Sequence, residues 1–324
     1  MAVEGTNTAG AVAAPAARDR VESARVPGWT GHGIRSERWF GYYFIAPTFV
    51  FLSAIIVFPL GHSFWISLQR TRGLNTTFVG LRNYVRVLGE DAFWNSFQVS
   101  LSFTSICVVL HIVLGLGLAL LLNRIVFASA ILRILFLTPW MIAPAIGATI
   151  WLWLLEPQFG VVNYLLQLAG IIDAPKIWLG EPRLAFGSVV VVDVWRGVPF
   201  IMLLMLAGLQ TIPEEQYEAA ALDGASSWQS FRFVTMPNLR YIIIVASTLD
   251  IISTVRHFDI IAVMTGGGPV GATEVLPALI YNAAFRANRF GEAAAIGVML
   301  LLMILVFSLL YFRVTRPDRE ERGT

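Results

Sequence analysis

Six long apolar stretches constrain this chain more than any other feature of its sequence. They lie near Tyr42–Leu68, Phe97–Asn123, Ile131–Leu155, Leu184–Leu209, Tyr241–Met264 and Gly291–Phe312. Each is long enough to cross a bilayer, for which a helix needs about 20 predominantly apolar residues. Because backbone polar groups inside hydrocarbon must bond to one another, such stretches fold as helices. The sequence therefore predicts an all-α integral membrane protein with six transmembrane helices.

The composition agrees with this class and argues against several others. Hydrophobic residues make up 56% of the 324 residues and charged residues 14%, whereas soluble domains carry about 25% charged residues. A net charge of +2 gives no reason to expect nucleic acid, and Cys107, the single cysteine, rules out an intrachain disulfide. The chain lacks a Walker motif, His-Glu-x-x-His and Gly-x-Ser-x-Gly, so nothing in it predicts ATP hydrolysis or another enzymatic reaction.

The chain divides into one membrane domain and two short tails. Residues 1–40 are rich in Ala, Gly and Arg and cannot bury enough apolar surface to order themselves, which predicts a disordered cytoplasmic tail. They lack a convincing cleavage site, and the apolar stretch that follows is too long for a signal peptide. We expect residues 41–313 to form a single transmembrane domain and residues 314–324 a cytoplasmic C-terminal tail.

A dense run of helix-forming residues lies between the fourth and fifth apolar stretches. Thr211, followed three residues later by Glu214, has the pattern of a capping box and predicts a helix over residues 212–222. Gly224 can supply the left-handed residue that ends this helix. The sequence thus predicts a short surface helix and a sharp turn after it.

A second short helix is predicted directly after that turn. Ser226, with Gln229 three residues later, can cap its beginning, and Pro237 is predicted to end it. The whole segment is therefore a helix-turn-helix elbow beside the membrane.

This elbow resembles the signature loop of permease subunits in binding-protein-dependent ABC importers. The matching residues are Glu218-Ala219-Ala220, Asp223-Gly224-Ala225, Phe231 and Met236-Pro237. The resemblance implies that the elbow is a cytoplasmic coupling helix, between spans four and five, which docks into a cleft on an ATPase subunit. The residues assigned to this contact are Glu214, Tyr217, Glu218, Ala219, Ala220, Asp223, Gly224, Ala225, Phe231 and Pro237.

Further short motifs appear in the order that this family shows. They are Gly80-Leu81-Arg82-Asn83-Tyr84, Phe258-Asp259, Met264-Thr265-Gly266-Gly267-Gly268-Pro269, and the small residues Gly291, Ala293 and Ala295. The resemblance covers about Gly41 to Phe312 and is closest to the permease in the "F" position of maltose-type importers. Glu292 departs from the pattern, because the family often has an aromatic residue there.

The resemblance implies a permease that moves a sugar, such as a di- or oligosaccharide, across the cytoplasmic membrane of a bacterium. It implies as partners a second permease subunit, two copies of a cytoplasmic ATPase, an extracytoplasmic solute-binding (lipo)protein and membrane lipid. ATP and Mg would be bound by the ATPase subunits, so this chain needs no cofactor of its own. Both termini would be cytoplasmic. In that orientation, the basic residues on the cytoplasmic side outnumber those on the outer side, in agreement with the positive-inside rule.

Ionisable and aromatic residues inside the spans are candidates for a translocation pathway. They are Trp140, Asp193, Trp195, Arg196, Asp250, Arg256, His257 and Asp259. Charged groups in a membrane are costly and should face the protein interior. Asp193 with Arg196, and Arg256 with Asp259, are spaced to neutralise each other on one helix face. These groups either hold helices together or line a mid-membrane cavity for a hydroxyl-rich solute, with Trp195 near it.

Three other functions are weaker alternatives. A permease for glycerol 3-phosphate or a glycerophosphodiester would share these motifs. A membrane-embedded transferase would need catalytic carboxylates clustered in a membrane-face loop, and the only acidic cluster of that kind lies in the elbow. A secondary transporter commonly contains two related halves, and the sequence shows no internal repeat.

Overall fold

A computed structural model describes residues 34–72, 75–124 and 129–315. The chain divides into a compact unit of residues 1–58 and a larger unit of residues 59–324. The described part of the first unit is helical, with α1 over Ile34–Leu52 and a π-helical turn over Ser53–Val57. Residues 34–40, expected in the tail, are therefore helical. The rest of the predicted N-terminal tail, and residues 316–324 of the C-terminal tail, lie outside the described residues.

The remaining elements are helices apart from one short hairpin. They are α2 (Phe58–Ser67), β1 (Gln69–Arg72), β2 (Asn75–Phe78), α3 (Arg82–Leu88), α4 (Asp91–Arg124), α5 (Ser129–Met141), α6 (Pro144–Leu154), α7 (Val161–Leu168), α8 (Pro182–Leu209), α9 (Glu214–Leu222), α10 (Ser227–Ser230), a π-helical turn (Phe231–Thr235), α11 (Met236–Thr254), α12 (Asp259–Met264), α13 (Leu276–Tyr281), a second such turn (Asn282–Arg286) and α14 (Phe290–Thr315). The two strands are antiparallel, and Gln69 pairs with Phe78.

Four helical segments are long and apolar enough to cross a membrane, and they fall where the sequence predicts the first, second, fourth and sixth spans. They are Tyr42–Ser67, Asp91–Arg124, Pro182–Leu209 and Phe290–Tyr311. The prediction of an all-α membrane protein is thus confirmed in its coarse form. The third and fifth predicted spans take a different shape.

The third predicted span is a bent pair of helices. Segments Ile131–Met141 and Pro144–Leu154 meet at an angle of 95°. Ala143 lies between them with an extended backbone, φ −56° and ψ 135°. A residue before proline is driven out of the helical region by contact with the proline ring, so Pro144 places the bend here.

The fifth predicted span is divided rather than continuous. Helix α11 ends at Thr254, and α12 begins at Asp259. In the intervening turn, the amides of Arg256 and His257 donate to the carbonyls three residues earlier, Ser253 and Thr254, at 3.1 and 3.0 Å. The backbone hydrogen bonds therefore change to a three-residue spacing, and α11 ends before the end of the predicted span.

Two glycines allow α4 and α8 to pack closely along the middle of the larger unit. A Cβ atom on Gly115 would lie 2.8 Å from Cγ2 of Ile201, and one on Gly197 would lie 2.3 Å from Nε2 of His111. Neither contact is possible for a larger residue without a shift. The close approach buries Ile201, Met202 and neighbouring residues in an apolar core.

The Gly80–Tyr84 motif fixes the connection between α2 and α3. Gly80 has φ +58°, a conformation that favours glycine. The Asn83 side-chain amide donates to the carbonyls of Ser67 and Gln69 at 2.7 and 2.8 Å, and Tyr84 shares a 2.6 Å hydrogen bond with the Ser67 hydroxyl. The motif therefore ties α3 to the end of α2 and to β1.

Candidate functional site

The first helix of the elbow begins two residues later than the sequence predicts. It starts at Glu214, and Pro213 occupies the N-cap position without a side-chain cap. The Thr211 hydroxyl instead donates to the carbonyl of Gly208 at 2.8 Å. The predicted capping box at Thr211 is therefore wrong, because Pro213 disfavours a helical backbone at Ile212.

The turn at the end of α9 forms as predicted. Gly224 adopts φ +76°, and its amide donates to the carbonyl of Ala221 at 3.0 Å. The amide of Ala225 donates to the carbonyl of Ala220 at 2.9 Å. These two bonds form a Schellman motif, which satisfies carbonyls that a helix end would otherwise leave unpaired.

The second arm of the elbow begins at the predicted residue but does not end at Pro237, where the sequence predicts its end. The Ser226 hydroxyl accepts from the Gln229 amide, and the Gln229 side chain accepts from the Ser226 amide, which completes a capping box. Pro237, however, lies inside a continuous helical path and does not terminate it. The π-helical turn over Phe231–Thr235 shifts the ladder to a wider spacing, with the Met236 amide bonded to the Phe231 carbonyl. This change lets the chain accept a residue without a backbone N–H.

Side-chain hydrogen bonds hold the two arms of the elbow together. The Tyr217 and Thr235 hydroxyls lie 3.0 Å apart, and the Asn238 side-chain amide donates to the Gln216 side-chain oxygen at 2.8 Å. Both contacts join α9 to the helical path that leads into α11. The elbow is thus internally braced and attached to a long helix.

The elbow has no buried residue in α9 and presents both charge and apolar surface. Its exposed members among the assigned residues are Glu214, Glu218, Ala219, Asp223, Gly224 and Pro237, whereas Tyr217, Ala220, Ala225 and Phe231 are half-buried. Leu222 is 89% exposed and Trp228 67% exposed, and the Trp228 ring stacks on Phe231. Exposed large apolar side chains rimmed by polar residues are typical of a protein interaction site.

Inside the membrane domain, Asp193 is paired with a histidine and not with Arg196. Its side chain is fully buried, and Oδ1 lies 2.6 Å from Nδ1 of His257. The Arg196 Nε atom is buried without a hydrogen-bond partner among the described residues. The predicted Asp193–Arg196 pair is therefore wrong, because the carboxylate bonds across to the turn between α11 and α12.

His111 joins three helices through its two ring nitrogens. Nδ1 lies 2.9 Å from Oδ2 of Asp250 on α11, and Nε2 lies 3.2 Å from the backbone oxygen of Asp193 on α8. Asp193 and Asp250 are only 1% and 6% exposed. Both carboxylates are thus buried and bonded to histidines of other elements.

The second predicted pair, Arg256 with Asp259, does not form either. Both side chains are exposed, no ion pair joins them within 4 Å, and the Arg256 Nε atom donates to the carbonyl of Ile252 at 2.9 Å. Helix α11 ends at Thr254, before both residues, and α12 begins only at Asp259, so the i,i+3 spacing does not place them on one helix face.

One of the two candidate tryptophans, Trp195, borders an apolar cavity of about 660 Å³ between α4, α5 and α8. Trp195 lines this cavity with Pro139 and Pro199, and its ring meets the edge of Trp151 at a centroid distance of 5.8 Å. Trp140 stacks on Phe200 at 5.5 Å and remains 44% exposed. These rings offer flat apolar surface beside two proline-containing helices.

Comparison with known proteins identifies the family of this arrangement. The model of the family described as "Binding-protein-dependent transport system inner membrane component" matches residues 111–316, more than half of the chain. The match begins in α4 and contains the elbow and the four bonded residues His111, Asp193, Asp250 and His257.

Similar proteins cover nearly the whole chain. A trehalose/maltose transport system permease protein of Thermococcus litoralis, MalF, is 40% identical over 88% of this chain and 96% of its own length. A trehalose transport system permease protein of Mycobacterium tuberculosis, SugA, is 32% identical over 89% of this chain and 93% of its own. Among solved structures, a chain of a bacterial ABC transporter that imports the acidic polysaccharide alginate has a similar fold, with a TM-score of 0.76 and 20% identity over 87% of this chain and 96% of that one.

Proposed function

Because this chain belongs to the family of binding-protein-dependent transport system inner membrane components, we propose that it forms one half of a sugar-import channel in the cytoplasmic membrane. A chain of this family is a permease subunit, a non-enzymatic membrane component of an ABC transporter. Energy for uptake must then come from partner subunits that bind ATP and Mg.

The elbow is the observation that carries this proposal. Its turn is set by Gly224, its two arms are braced by Tyr217 and Asn238, and its outer surface carries Glu218 and Leu222 unburied. A rigid, exposed helix that is attached to a long helix transmits the movement of a bound partner to that long helix. We therefore assign the elbow to the contact with a cytoplasmic ATPase, and place it between the fourth and fifth of six membrane crossings.

The six crossings of this proposal include two that are irregular. The bent pair Ile131–Met141 and Pro144–Leu154 counts as the third crossing, and α11 with α12 counts as the fifth. Broken helices are tolerated at membrane depth where they line a cavity or pack against protein. Both termini and the elbow then lie on the cytoplasmic side.

A sugar is the solute best supported for this channel. The relative at 40% identity is named for trehalose and maltose, and the Mycobacterium tuberculosis relative for trehalose. Glycerol 3-phosphate and glycerophosphodiesters receive no comparable support from these relatives. A flat apolar ring such as Trp140 or Trp195 suits the apolar face of a sugar ring, and Arg196 on the same helix as Trp195 supplies donors for hydroxyl groups.

Within the pathway, we assign different roles to the predicted residues. Trp140, Trp195 and Arg196 lie along the solute's route, whereas Asp193, Asp250 and His257 fix the helices that carry them. Arg256 and Asp259, both exposed at the break of the fifth crossing, border its outer end. A second permease subunit completes the channel, two ATPase copies drive it, and an extracytoplasmic binding protein delivers the sugar.

The test is uptake of radiolabelled trehalose and maltose by cells that express all subunits. We expect Gly224→Asp and Glu218→Lys to abolish uptake at unchanged membrane levels, because one strains the turn and the other reverses a charge on the ATPase-facing surface. ATP hydrolysis stimulated by the binding protein should be lost in the same variants.

Gly170→Asp is the matched control for the turn. Gly170 has φ +67°, close to that of Gly224, and open space around it, but lies after α7 in the loop predicted to be outside. We expect this variant to keep uptake within about twofold, since each substitution imposes a similar backbone strain. Normal uptake in Gly224→Asp would show that the elbow does not couple transport to ATP.

A further inference from the structure

A polar cavity lies where the hairpin, α3 and the beginning of α14 meet. It has a volume of about 340 Å³ and is lined by Arg70 and Thr71 of β1, Arg86 of α3, and Arg289 and Glu292 at α14. Strand β1 begins two residues after the end of α2, and Arg289 immediately precedes α14; both helices belong to candidate membrane-spanning segments. The cavity therefore lies at the membrane boundary, at the depth of lipid headgroups.

The cavity carries more positive than negative charge. Glu292, the residue that departs from the family pattern, is 91% buried at its side chain and bonds to Arg86 at 2.6 Å and Arg289 at 3.3 Å. Arg289 is also 3.9 Å from Glu90. Arg70 has no carboxylate within 4 Å in the part of the chain that the structure describes, so one positive charge remains without a counterion.

An apolar groove shares α14 with this cavity, and its lining residues Phe290 and Ala293 flank the cavity residues Gly291 and Glu292 in sequence. It has a volume of about 630 Å³ and is lined by α2, α13 and α14, including Leu60, Phe64, Ala293, Ala294, Gly297 and Leu301. A Cβ atom on Gly297 would meet nothing within 4 Å, so the groove is open at its middle. The lining from Phe290 to Leu302 runs about 18 Å along α14.

We propose that the cavity and the groove together form a binding site for one anionic phospholipid, with the phosphate among Arg70, Arg86 and Arg289 and an acyl chain along α14. The charge surplus complements a phosphate, for which arginine offers several donors. The groove supplies the apolar surface that a free anion would not need. Only the leaflet, the outer one, depends on the proposed topology, and the site does not depend on the solute.

This site also accounts for two features that the transport function leaves unexplained. The first outer loop is crowded with arginines, among them Arg70 and Arg86, against the usual bias of membrane proteins. Glu292 holds two of the cavity's arginines in place from a buried position. A lipid bound there would tie α14 to the hairpin at the membrane surface.

Native mass spectrometry of the purified full chain can test the proposal, with dioleoyl phosphatidylglycerol and dioleoyl phosphatidylcholine as probes. The two lipids share acyl chains and differ in net charge. We expect the first bound lipid to favour phosphatidylglycerol at least fivefold. Arg70→Gln and Arg289→Gln should each reduce that preference about fivefold, the effect of one arginine near anionic lipid. Gly297→Leu should weaken the binding of both lipids, because the larger side chain fills the groove.

Arg313→Gln is the matched control, because Arg313 is an exposed arginine at the opposite end of α14. It should leave the preference unchanged. Equal binding of the two lipids by the wild-type chain, or an equal loss in Arg313→Gln, would overturn the site. Displacement of phosphatidylglycerol by inorganic phosphate with no effect of Gly297→Leu would mean a free-anion site instead. Loss of lipid binding in the assembled transporter would mean that a partner subunit covers the groove, which also contradicts the proposal.

Discussion

At the scale of single residues, the buried carboxylates show what determines which side chain a buried charged group bonds to. Asp193 has Arg196 three residues away on its own helix, yet bonds to His257 from another element at 2.6 Å. Spacing along one helix predicts which residues can meet, but packing between helices decides which of them do. The result is a relay of His111, Asp193, Asp250 and His257 that joins α4, α8 and α11.

This relay predicts a specific energetic coupling. In a double-mutant cycle of Asp193→Asn with His257→Gln, we expect a coupling energy of about 1–2 kcal/mol, because the two side chains share a buried hydrogen bond. The cycle of Asp193→Asn with Arg196→Gln should be additive within about 0.5 kcal/mol. Chemical denaturation of the full chain in detergent measures both. A larger coupling to Arg196 than to His257 would contradict the observed pairing.

Gly197 makes a second prediction at this scale. Gly197→Ala would bring a methyl group to 2.3 Å from the His111 ring, so we expect a loss of about 1–3 kcal/mol of stability from overpacking. Gly187→Ala, on the same helix with nothing within 4 Å, should be neutral or slightly stabilising. Thermal unfolding of the two variants in parallel separates the clash from the general effect of alanine.

The capping residues show how far the sequence predicts local structure. Ser226 and Thr211 each precede an acidic or amide residue by three positions, but only Ser226 forms the capping box. The difference lies at Pro213, which restricts the residue before it and delays the helix. A pattern of two residues predicts the cap, while the residue between them decides whether it forms.

At the scale of elements, hydrogen exchange can distinguish the two caps. Ser226→Ala should raise exchange at the Gln229 amide by about fivefold, since an N-cap contributes about 1 kcal/mol. Thr211→Val should leave exchange in Glu214–Leu222 unchanged within twofold, because its hydroxyl bonds to Gly208 and not to α9. If the two substitutions had equal effects on the helices that follow them, Thr211 would act as the N-cap that the sequence predicts.

The spans themselves were predictable where an apolar run decides the structure and not where a tertiary contact does. The boundaries of the fourth span, Leu184–Leu209 by prediction and Pro182–Leu209 as observed, agree within two residues. The fifth predicted span divides after Thr254, where His257 contacts Asp193 of α8. Hydropathy contains no signal for such a contact, although a histidine and two carboxylates at similar depth indicate that one exists.

At the scale of the whole molecule, the elbow and the exposed loop between α6 and α8 must lie on opposite sides of the membrane if α8 crosses it. A single crossing, the proposed fourth one formed by α8, lies between them in the chain. The elbow also carries the family's motif, so its side determines whether an ATPase can reach it. One measurement of side therefore tests both the crossing by α8 and the proposed coupling role.

Cysteine labelling provides that measurement with the native chain as background. Cys107 is fully buried and is the only cysteine, so a membrane-impermeant maleimide should leave the wild-type chain unlabelled. We expect Asp173→Cys, at an exposed loop residue, to react in intact right-side-out vesicles, and Ser227→Cys, at an exposed elbow residue, to react only after permeabilisation. Both should react fully with a permeant maleimide, which controls for accessibility. Labelling of Ser227→Cys in intact vesicles would place the elbow outside, where no ATPase could bind it.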